Sequence, residues 1–254
     1  MADVVLEVQN ISVVFGGLVA VDDFSMQVER NSIHALIGPN GAGKSTTFNC
    51  ISRYYRPTTG RISLFGHDIT EHKPNVMARL GVARTFQNLE LFNELTVLEN
   101  VMLGAYSHTV DHPRELLRIK PRELVEFAEG LLERTGLAAY RDTRANNLDF
   151  GHQKLLELAR ALAIRPKILL LDEPAAGLRN RDVERLDRLL SELVERDGLT
   201  VLLVEHVMQL VMSISDRITV LSFGQKIAEG TPGEIRKDPA VIEAYLGTEE
   251  PSHG

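Results

Sequence analysis

Apolar and polar positions alternate over the first part of the chain. Val4, Leu6 and Val8 have polar neighbours, and the alternation returns over 33–37, just before a cluster of glycines. This spacing is typical of β-strands with one buried face. A further strand is expected over 61–65. The N-terminal part is therefore predicted to consist of strands and turns.

The middle of the chain has helical spacing, with apolar residues recurring every three or four positions from about 121 to 163. Pro166 ends this pattern, and the apolar run 168–171 that follows is of the buried-strand type. Four further elements are predicted: a charged amphipathic helix near 182–196, a buried run over 200–204, a helix over 207–213 and strands on either side of Gly224. Strands that alternate with helices indicate an α/β fold with a mostly parallel sheet covered on both faces. The helical middle would be an inserted subdomain.

Composition narrows the class of protein. The chain has 254 residues and a formal net charge of −7, which argues against a protein whose main task is to bind nucleic acid. The single cysteine, Cys50, excludes an internal disulfide framework and any multi-cysteine metal site. The start lacks the pattern of a signal peptide, and the most apolar runs are far too short to span a bilayer.

A glycine-rich segment follows the strand predicted over 33–37 and fits the pattern G-x-x-x-x-G-K-[ST] in full: Gly38-Pro39-Asn40-Gly41-Ala42-Gly43-Lys44-Ser45. Glycines let such a loop turn several backbone N–H groups towards an anion at the start of a helix. Lys44 is then expected to reach the β- and γ-phosphates of a nucleotide, and the Ser45 hydroxyl to bind Mg²⁺. The alternative is a glycine-rich turn that happens to carry a lysine.

Two carboxylates follow the apolar run 168–171, at the strand end where open parallel sheets bind ligands. Asp172 suits the binding of Mg²⁺, and Glu173 suits the polarisation of an attacking water. Alone, the segment could equally be a solvated turn or a helix cap. The upstream phosphate loop favours the catalytic interpretation.

Other motifs indicate a family: Thr85-Phe86-Gln87-Asn88, Leu148-Asp149-Phe150-Gly151-His152-Gln153, Asp172-Glu173-Pro174 and His206 just after a strand. With the phosphate loop, they occur in the order found in ABC ATPases, which nearly the whole chain resembles. The N-K-x-D motif of a GTPase is absent. The resemblance implies a P-loop NTPase core of 1–87 and 166–247, with a mostly parallel sheet and an N-terminal antiparallel β part. It also implies an inserted helical subdomain of 88–165 and a flexible tail of 248–254.

The resemblance also implies roles for single residues. The nucleotide-binding positions are the phosphate loop with Thr46, an aromatic at Phe15 for stacking on adenine, and Asp149, Gly151 and His152 of the segment 148–153. Gln87 would reach Mg²⁺ and the attacking water, and His206 would contact the γ-phosphate. From spacing alone, Phe15 would be a strand core residue, Gln87 a surface residue and His206 a helix cap.

A closer resemblance is to the ATP-binding subunits of branched-chain amino acid importers. It is carried by the segments 15–22, 83–88, 95–101, 173–178 and 244–247. It implies an ATP-hydrolysing subunit that powers the import of branched-chain amino acids or similar small polar solutes. The implied partners are two transmembrane permease subunits, a second ATPase subunit, identical or not, and indirectly a substrate-binding protein. The expected location is the cytoplasmic face of the membrane, with no nucleic acid partner.

Four apolar residues after the strand predicted near 83 have two open interpretations: Phe86, Leu89, Leu91 and Phe92. They could line the groove that accepts a helix of a transmembrane subunit. They could equally pack within the helical subdomain.

Two positions depart from the family pattern. Where relatives read L-S-G-G-Q, this chain has Asp149, and an ionised aspartate cannot donate the hydrogen bond that the serine gives to the γ-phosphate on the other subunit. Asp149 is either a helix N-cap turned away from that phosphate, with backbone N–H groups near Gly151 and His152 still reaching it, or the mark of an impaired segment. The second departure is Arg179, where relatives have Asp or Asn.

Two other functions fit a phosphate loop. A soluble ABC ATPase acting as a switch in translation or DNA repair usually has two ATPase units or a coiled-coil insertion, and this chain has neither. A P-loop kinase would leave the segment 148–153 and His206 without a role.

Overall fold

The computed structural model describes residues 3–109 and 121–246. Its backbone contacts divide the chain into two units, one formed by 1–74 with 200–254 and the other by 75–199. We call them unit one and unit two. The predicted flexible tail of 248–254 lies outside the described residues.

Unit one contains an antiparallel sheet built from the N-terminal strands. Its members are β1 (Val4–Phe15), β2 (Leu18–Glu29), β4 (Thr59–Leu64) and β5 (His67–Asp68), in the order β2-β1-β4-β5. Leu6 and Val8 are buried, as the alternation predicts. The predicted N-terminal antiparallel part is confirmed.

The second sheet of unit one has a parallel centre. Its strands within unit one are β3 (Ile33–Ile37), β8 (Thr200–Val204), β9 (Arg217–Ser222) and β10 (Gln225–Gly230). Strand β3 is parallel to both β8 and β9, and β10 pairs with β9 in the antiparallel sense. A strand with parallel neighbours on both sides is typical of the core of an α/β protein.

The predicted alternation over 33–37 is wrong in one respect, because every residue of β3 is buried. His34 is only 1% exposed, and its Nε2 lies 2.8 Å from the Thr219 hydroxyl of β9. Burial lowers the pKa of His34 to about 4, since the charged imidazolium is disfavoured away from water. The polar residue in the pattern is therefore a hydrogen-bonded core residue.

The helices of unit one are short. They are α1 (Lys44–Ile51), α7 (Met208–Ile214), α8 (Pro232–Ile235) and α9 (Pro239–Leu246), and a single turn, α2 (Pro74–Met77), lies at the boundary between the units. The fully buried Phe48 anchors α1 in the core, and this fixes the direction of the loop that precedes the helix.

The described residues of unit two include a parallel strand pair and four longer helices: β6 (Val82–Arg84), β7 (Ile168–Asp172), α3 (Val97–Thr109), α4 (Pro121–Thr135), α5 (Phe150–Ala163) and α6 (Asn180–Asp197). Helices α3, α4 and α5 pack against one another. The helical stretch predicted over 121–163 is two helices joined by 3₁₀ turns at Ala138–Tyr140 and Ala145–Asn147. Gly136, with φ +66°, follows α4 and allows this break.

The α/β fold class is confirmed by these elements. The predicted boundaries of the core (1–87 with 166–247) and of the helical subdomain (88–165) stay a prediction. Over the described residues, no helix combines the length and the apolar character that crossing a membrane requires.

Candidate functional site

The glycine-rich loop of unit one joins β3 to α1. Gly38 has φ +152°, and a Cβ there would lie 2.1 Å from the Leu221 carbonyl oxygen in β9, so only glycine lets the loop lie against that strand. Gly43 is the N-cap of α1 and supplies no side-chain cap. Because the first amide groups of a helix have no partner within it, this end of α1 offers donors to an anion.

Lys44 is held over this loop. Its Nζ donates hydrogen bonds to the carbonyl oxygens of Gly38, at 2.7 Å, and Pro39, at 2.9 Å. The side chain is buried, and the two carbonyls stabilise its charge there. The loop and its lysine therefore combine backbone donors with a positive charge, as the motif predicts.

A cavity of about 490 Å³ opens beside the loop, and its lining includes Phe15, Gly41 to Thr46, and Phe223. Phe15 is 46% exposed, so its interpretation as a strand core residue is wrong. Its ring meets the Tyr55 ring edge-on, with 5.4 Å between the centroids. An aromatic face of this kind is suited to stacking on a planar base.

His206 follows β8 on a segment that a buried carboxylate holds in place. The Glu205 side chain is fully buried, and its Oε2 accepts the amide hydrogens of His206, at 2.8 Å, and Val207, at 2.9 Å. The N-cap of α7 is Val207, so His206 is not a helix cap. Its imidazole is 57% exposed.

Asp172, at the end of β7 in unit two, forms a buried ion pair. Arg84 Nη2 in β6 donates to Asp172 Oδ2 at 2.8 Å, and both side chains are 9% exposed. Burial raises the pKa of Asp172 above its usual value, and the Arg84 charge acts in the opposite direction. The carboxylate therefore lies in an environment that opposes its ionisation and beside a cation that favours it.

Glu173 and Gln87 are brought together in unit two. Gln87 Nε2 donates a hydrogen bond to Glu173 Oε2 at 3.1 Å. The backbone of Glu173 is left-handed, with φ +49°, which costs a non-glycine residue about 1 kcal/mol or more and is common at active sites. The residues predicted to act on water are thus in direct contact, although they are 86 positions apart.

Two buried residues of α5 contact the backbone of this pair or of the neighbouring Phe86. Lys154 Nζ lies 3.4 Å from the Gln87 carbonyl oxygen and 3.5 Å from that of Glu173. One turn later, Glu157 Oε1 accepts the amide hydrogen of Phe86 at 3.2 Å. Burial raises the pKa of Glu157 above its usual value. Neither residue was predicted from the sequence, because neither belongs to a motif.

Asp149 is the N-cap of α5, as one of the two interpretations proposed. Its Oδ1 accepts the amide hydrogen of His152 at 2.9 Å and lies 2.8 Å from His152 Nδ1. Phe150 packs against Gly177, where a Cβ would come within 2.8 Å of the ring. Gly177, in the loop after Glu173, thus leaves room for the Phe150 ring.

The chemistry of these residues fits ATP and Mg²⁺. The loop offers backbone donors and a buried ammonium group to a triphosphate, and Ser45, Gln87 and Asp172 carry the oxygen atoms that Mg²⁺ prefers. Within the described parts of the chain, no cluster of three or more His, Cys, Asp or Glu could hold a metal ion.

A family model described as "ABC transporter" matches residues 21–176, which is more than half of the chain. The chain belongs to the ABC transporter family. A second model, described as "Branched-chain amino acid ATP-binding cassette transporter", matches residues 225–251. The chain is an ATP-hydrolysing subunit of an ABC transporter.

Two relatives are similar along almost their whole length. The high-affinity branched-chain amino acid transport ATP-binding protein BraF of Pseudomonas aeruginosa is 43% identical over 253 residues, which cover 97% of this chain and 99% of the relative. LivG of Salmonella typhimurium, which has the same description, is 44% identical over 255 residues with the same coverage. These comparisons do not favour a soluble switch in translation or DNA repair.

Solved structures of ABC cassettes share the fold. An ATP-binding cassette of an ABC transporter in its ADP conformation has a TM-score of 0.86 and 34% identity, over 96% of this chain and 99% of the other. A dimeric bacterial ABC transporter cassette has a TM-score of 0.80 and 26% identity, over 89% and 98%. The site residues thus lie on a fold that binds nucleotide in the first of these relatives.

The sequence analysis assigns no role to the residues that contact the predicted ones from a distance, although Arg84 lies in the segment 83–88. Arg84, Lys154, Glu157 and Glu205 each hold a predicted residue or its backbone through contacts described above. Phe223 lines the cavity beside the loop. In the sequence, the one indication of a special role for Phe223 is its place before Gly224 in a predicted turn. An exposed aromatic ring is unusual there.

Replacing Arg84 tests the buried ion pair. Arg84→Gln should lower the free energy of unfolding by about 3 kcal/mol, because the Asp172 carboxylate is then buried without its cation. Urea denaturation would measure this loss. The double variant Arg84→Gln/Asp172→Asn should recover part of it. A loss below about 1 kcal/mol in the single variant would contradict the importance of the pair.

Replacing Glu157 tests the contact between α5 and Phe86. Glu157→Ala should lower kcat for ATP about tenfold with little change in KM, because the Gln87 backbone is then less well placed. Glu157→Gln, whose amide oxygen can accept the same hydrogen bond, should stay within about twofold of the unchanged protein. Steady-state ATPase assays of the assembled complex would measure both. Glu195→Ala, on the exposed side of α6, is the control. Equal losses of kcat in all three variants would contradict the role of Glu157 in positioning Gln87.

Proposed function

We propose that this chain is one of two ATPase subunits of an importer for branched-chain amino acids, at the cytoplasmic face of the membrane. The observation that carries the proposal is the match of residues 225–251 to the branched-chain amino acid model. That segment lies outside the general ATPase match over 21–176, so it adds information about the type of transporter. The descriptions of BraF and LivG support the same solute class.

In this proposal the chemistry is transfer of the γ-phosphoryl group of ATP to water. Lys44 and the start of α1 bind the phosphates and stabilise the charge that develops during transfer. Glu173 polarises the attacking water, and Gln87 orients the Glu173 carboxylate through their hydrogen bond. His206, whose backbone Glu205 holds, contacts the γ-phosphate.

Mg²⁺ would be held by Ser45, Asp172 and Gln87 together with phosphate oxygens. When bound, it neutralises charge on the transferring phosphoryl group. The Arg84 ion pair with Asp172 keeps that carboxylate in one orientation. Asp172 is thereby set to accept a cation, or a water bound to one, without a change of rotamer.

Adenine would stack on Phe15 beside the phosphate loop. The lining of the cavity of about 490 Å³ includes two aromatic residues, Phe15 and Phe223, and Gly41 to Thr46. Tyr55 supports the Phe15 ring from its edge. Aromatic stacking of this kind would bind the face of the adenine ring, while the loop would bind the phosphates.

The two transmembrane permease subunits would dock on apolar residues of unit two. Phe86, Leu89, Leu91 and Phe92 are all at least partly exposed, which favours the groove interpretation over packing within the subdomain. Phe92 is exposed, and the Arg160 guanidinium lies 5.5 Å from its ring centroid. Leu103 and Tyr106, one turn apart on α3, add exposed apolar surface. A substrate-binding protein would act on the permeases and touch this chain only indirectly.

Two variants test the assigned chemistry in the assembled complex. Glu173→Gln should lower kcat for ATP by about 100-fold or more while nucleotide binding persists. Lys44→Ala should weaken nucleotide binding itself, because the charge over the loop is removed. ATPase rates and binding of a fluorescent ATP analogue would separate the two effects. Glu192→Gln on α6 is the control, and a Glu173→Gln complex that hydrolyses ATP normally would contradict the role of Glu173.

The solute class is tested by transport. The complex of this chain, the second ATPase, both permeases and the binding protein should accumulate leucine, isoleucine or valine in ATP-loaded proteoliposomes. Uptake of labelled amino acid is the measurement, and the Glu173→Gln complex is the matched control. ATP-dependent uptake of another solute, with none of these three, would contradict the assignment.

A further inference from the structure

Phe223 has the most exposed large apolar side chain among the residues that the structure describes. Its ring is 92% exposed, although the preceding residues of β9, Val220 and Leu221, are buried. Its backbone is left-handed, with φ +46°, a conformation that an aromatic residue rarely adopts. An exposed ring on a strained backbone indicates a role that folding alone does not explain.

The strain at Phe223 comes from the hairpin between β9 and β10. Ser222 pairs directly with Gln225, so Phe223 and Gly224 form a two-residue turn, and both have positive φ. This combination defines a type I′ turn, in which asparagine followed by glycine is favoured. Phe223 therefore occupies the position at which the turn itself favours asparagine.

The hairpin between β4 and β5 has the same turn with the same two residue types. These strands pair on either side of Phe65 and Gly66, and both residues again have positive φ. There the ring is partly buried, and the Arg30 guanidinium lies 6.0 Å from its centroid. A phenylalanine in this turn can thus pack against the chain, whereas the Phe223 ring extends into solvent.

Hydrogen bonds hold the Phe223 hairpin beside the phosphate loop. The Gly224 amide donates to the Ala42 carbonyl oxygen at 3.0 Å, and the Gly224 carbonyl oxygen accepts the Asp22 amide hydrogen at 2.9 Å. Gln225 Nε2 also donates to Asp22 Oδ2 at 2.9 Å. The turn is therefore bound both to the phosphate loop and to β2.

The Phe223 ring lines the cavity of about 490 Å³ together with the phosphate loop and Phe15. Leu18 and Val19 of β2 also line this cavity, and both are exposed. The backbone donors of the loop and Lys44 suit phosphate groups. The apolar side chains suit the uncharged part of a nucleotide, which is its base and ribose.

We propose that Phe223 is a second aromatic contact for ATP, and that its ring packs on the nucleoside half of the bound nucleotide. This inference rests on the proposed function, because it takes the cavity beside the phosphate loop as the nucleotide site. Packing on the nucleoside covers a ring that is otherwise in solvent. It also gives a function to a residue that the turn disfavours.

Replacing Phe223 by asparagine tests this contact, because Phe223→Asn removes the ring and supplies the residue that the turn favours. In the full chain it should weaken ATP binding about fivefold, since a stacking contact is lost. Inorganic tripolyphosphate, which has no nucleoside, should bind unchanged. Phe223→Tyr, which keeps an aromatic ring, should bind ATP within about twofold of the unchanged chain. Isothermal titration calorimetry would measure each affinity, and Phe65→Asn, the same change in the matching turn, is the control.

Two results would overturn the inference alone. One is an ATP affinity that Phe223→Asn leaves within about twofold of the unchanged chain, and a lower ATPase rate of the assembled complex would then place the ring against another subunit. The other is an equal loss for ATP and tripolyphosphate, because the turn would then only support the loop. An unchanged chain that binds no ATP would instead overturn the proposed function.

Thermal melting separates the loss of the contact from a loss of folding. Phe223→Asn should melt at or above the temperature of the unchanged chain, since asparagine suits the left-handed position. A lower melting temperature would contradict the strain assigned to Phe223. In that case Phe223→Tyr and the tripolyphosphate comparison still decide whether the ring contacts the nucleoside.

Discussion

A carboxylate that is buried or crowded by other acids needs a hydrogen-bond donor or a cation beside it, and unit two meets this electrostatic constraint at four acids. Asp172 is paired with Arg84 inside the protein, and Glu173 accepts a hydrogen bond from Gln87. Glu157 is buried against the amide of Phe86. Asp149 caps α5, which directs one of its oxygens to the His152 amide. Each acid thus has a donor that fixes its direction, and the cost of burying or crowding negative charge is offset locally.

The backbone geometry also helps to set the direction of these carboxylates. Strand β7 delivers Asp172 as its last residue, and the left-handed turn at Glu173 sends the next carboxylate in another direction. Without that turn, two adjacent residues at the end of a strand would point to opposite faces. The strain is maintained because the surrounding structure fixes both sides, with Lys154 near the Glu173 carbonyl and Gln87 at its carboxylate.

What could be predicted depends on how far apart the contacting residues are in the chain. The loop from Gly38 to Ser45 works through its own backbone and the helix that follows, so a contiguous motif is enough to predict it. The cap at Asp149 is equally local. Arg84 and Asp172, by contrast, are 88 positions apart, and only the pairing of β6 with β7 brings them together. The burial of all of β3 was missed for a related reason, because alternation in sequence does not reveal a hydrogen-bonded partner such as Thr219 for His34.

Helix α5 connects the two chemical regions of unit two. Asp149 caps its N-terminus, and Lys154 and Glu157, about one turn apart further along the helix, contact the backbone of Phe86, Gln87 and Glu173. An α-helix of 14 residues moves nearly as a rigid body, because shortening or bending it breaks internal hydrogen bonds. A displacement of α5 at its N-terminus must therefore alter the contacts that position Gln87 and Glu173. Helix α5 thus links the cap at Asp149 mechanically to the residues that we propose for hydrolysis.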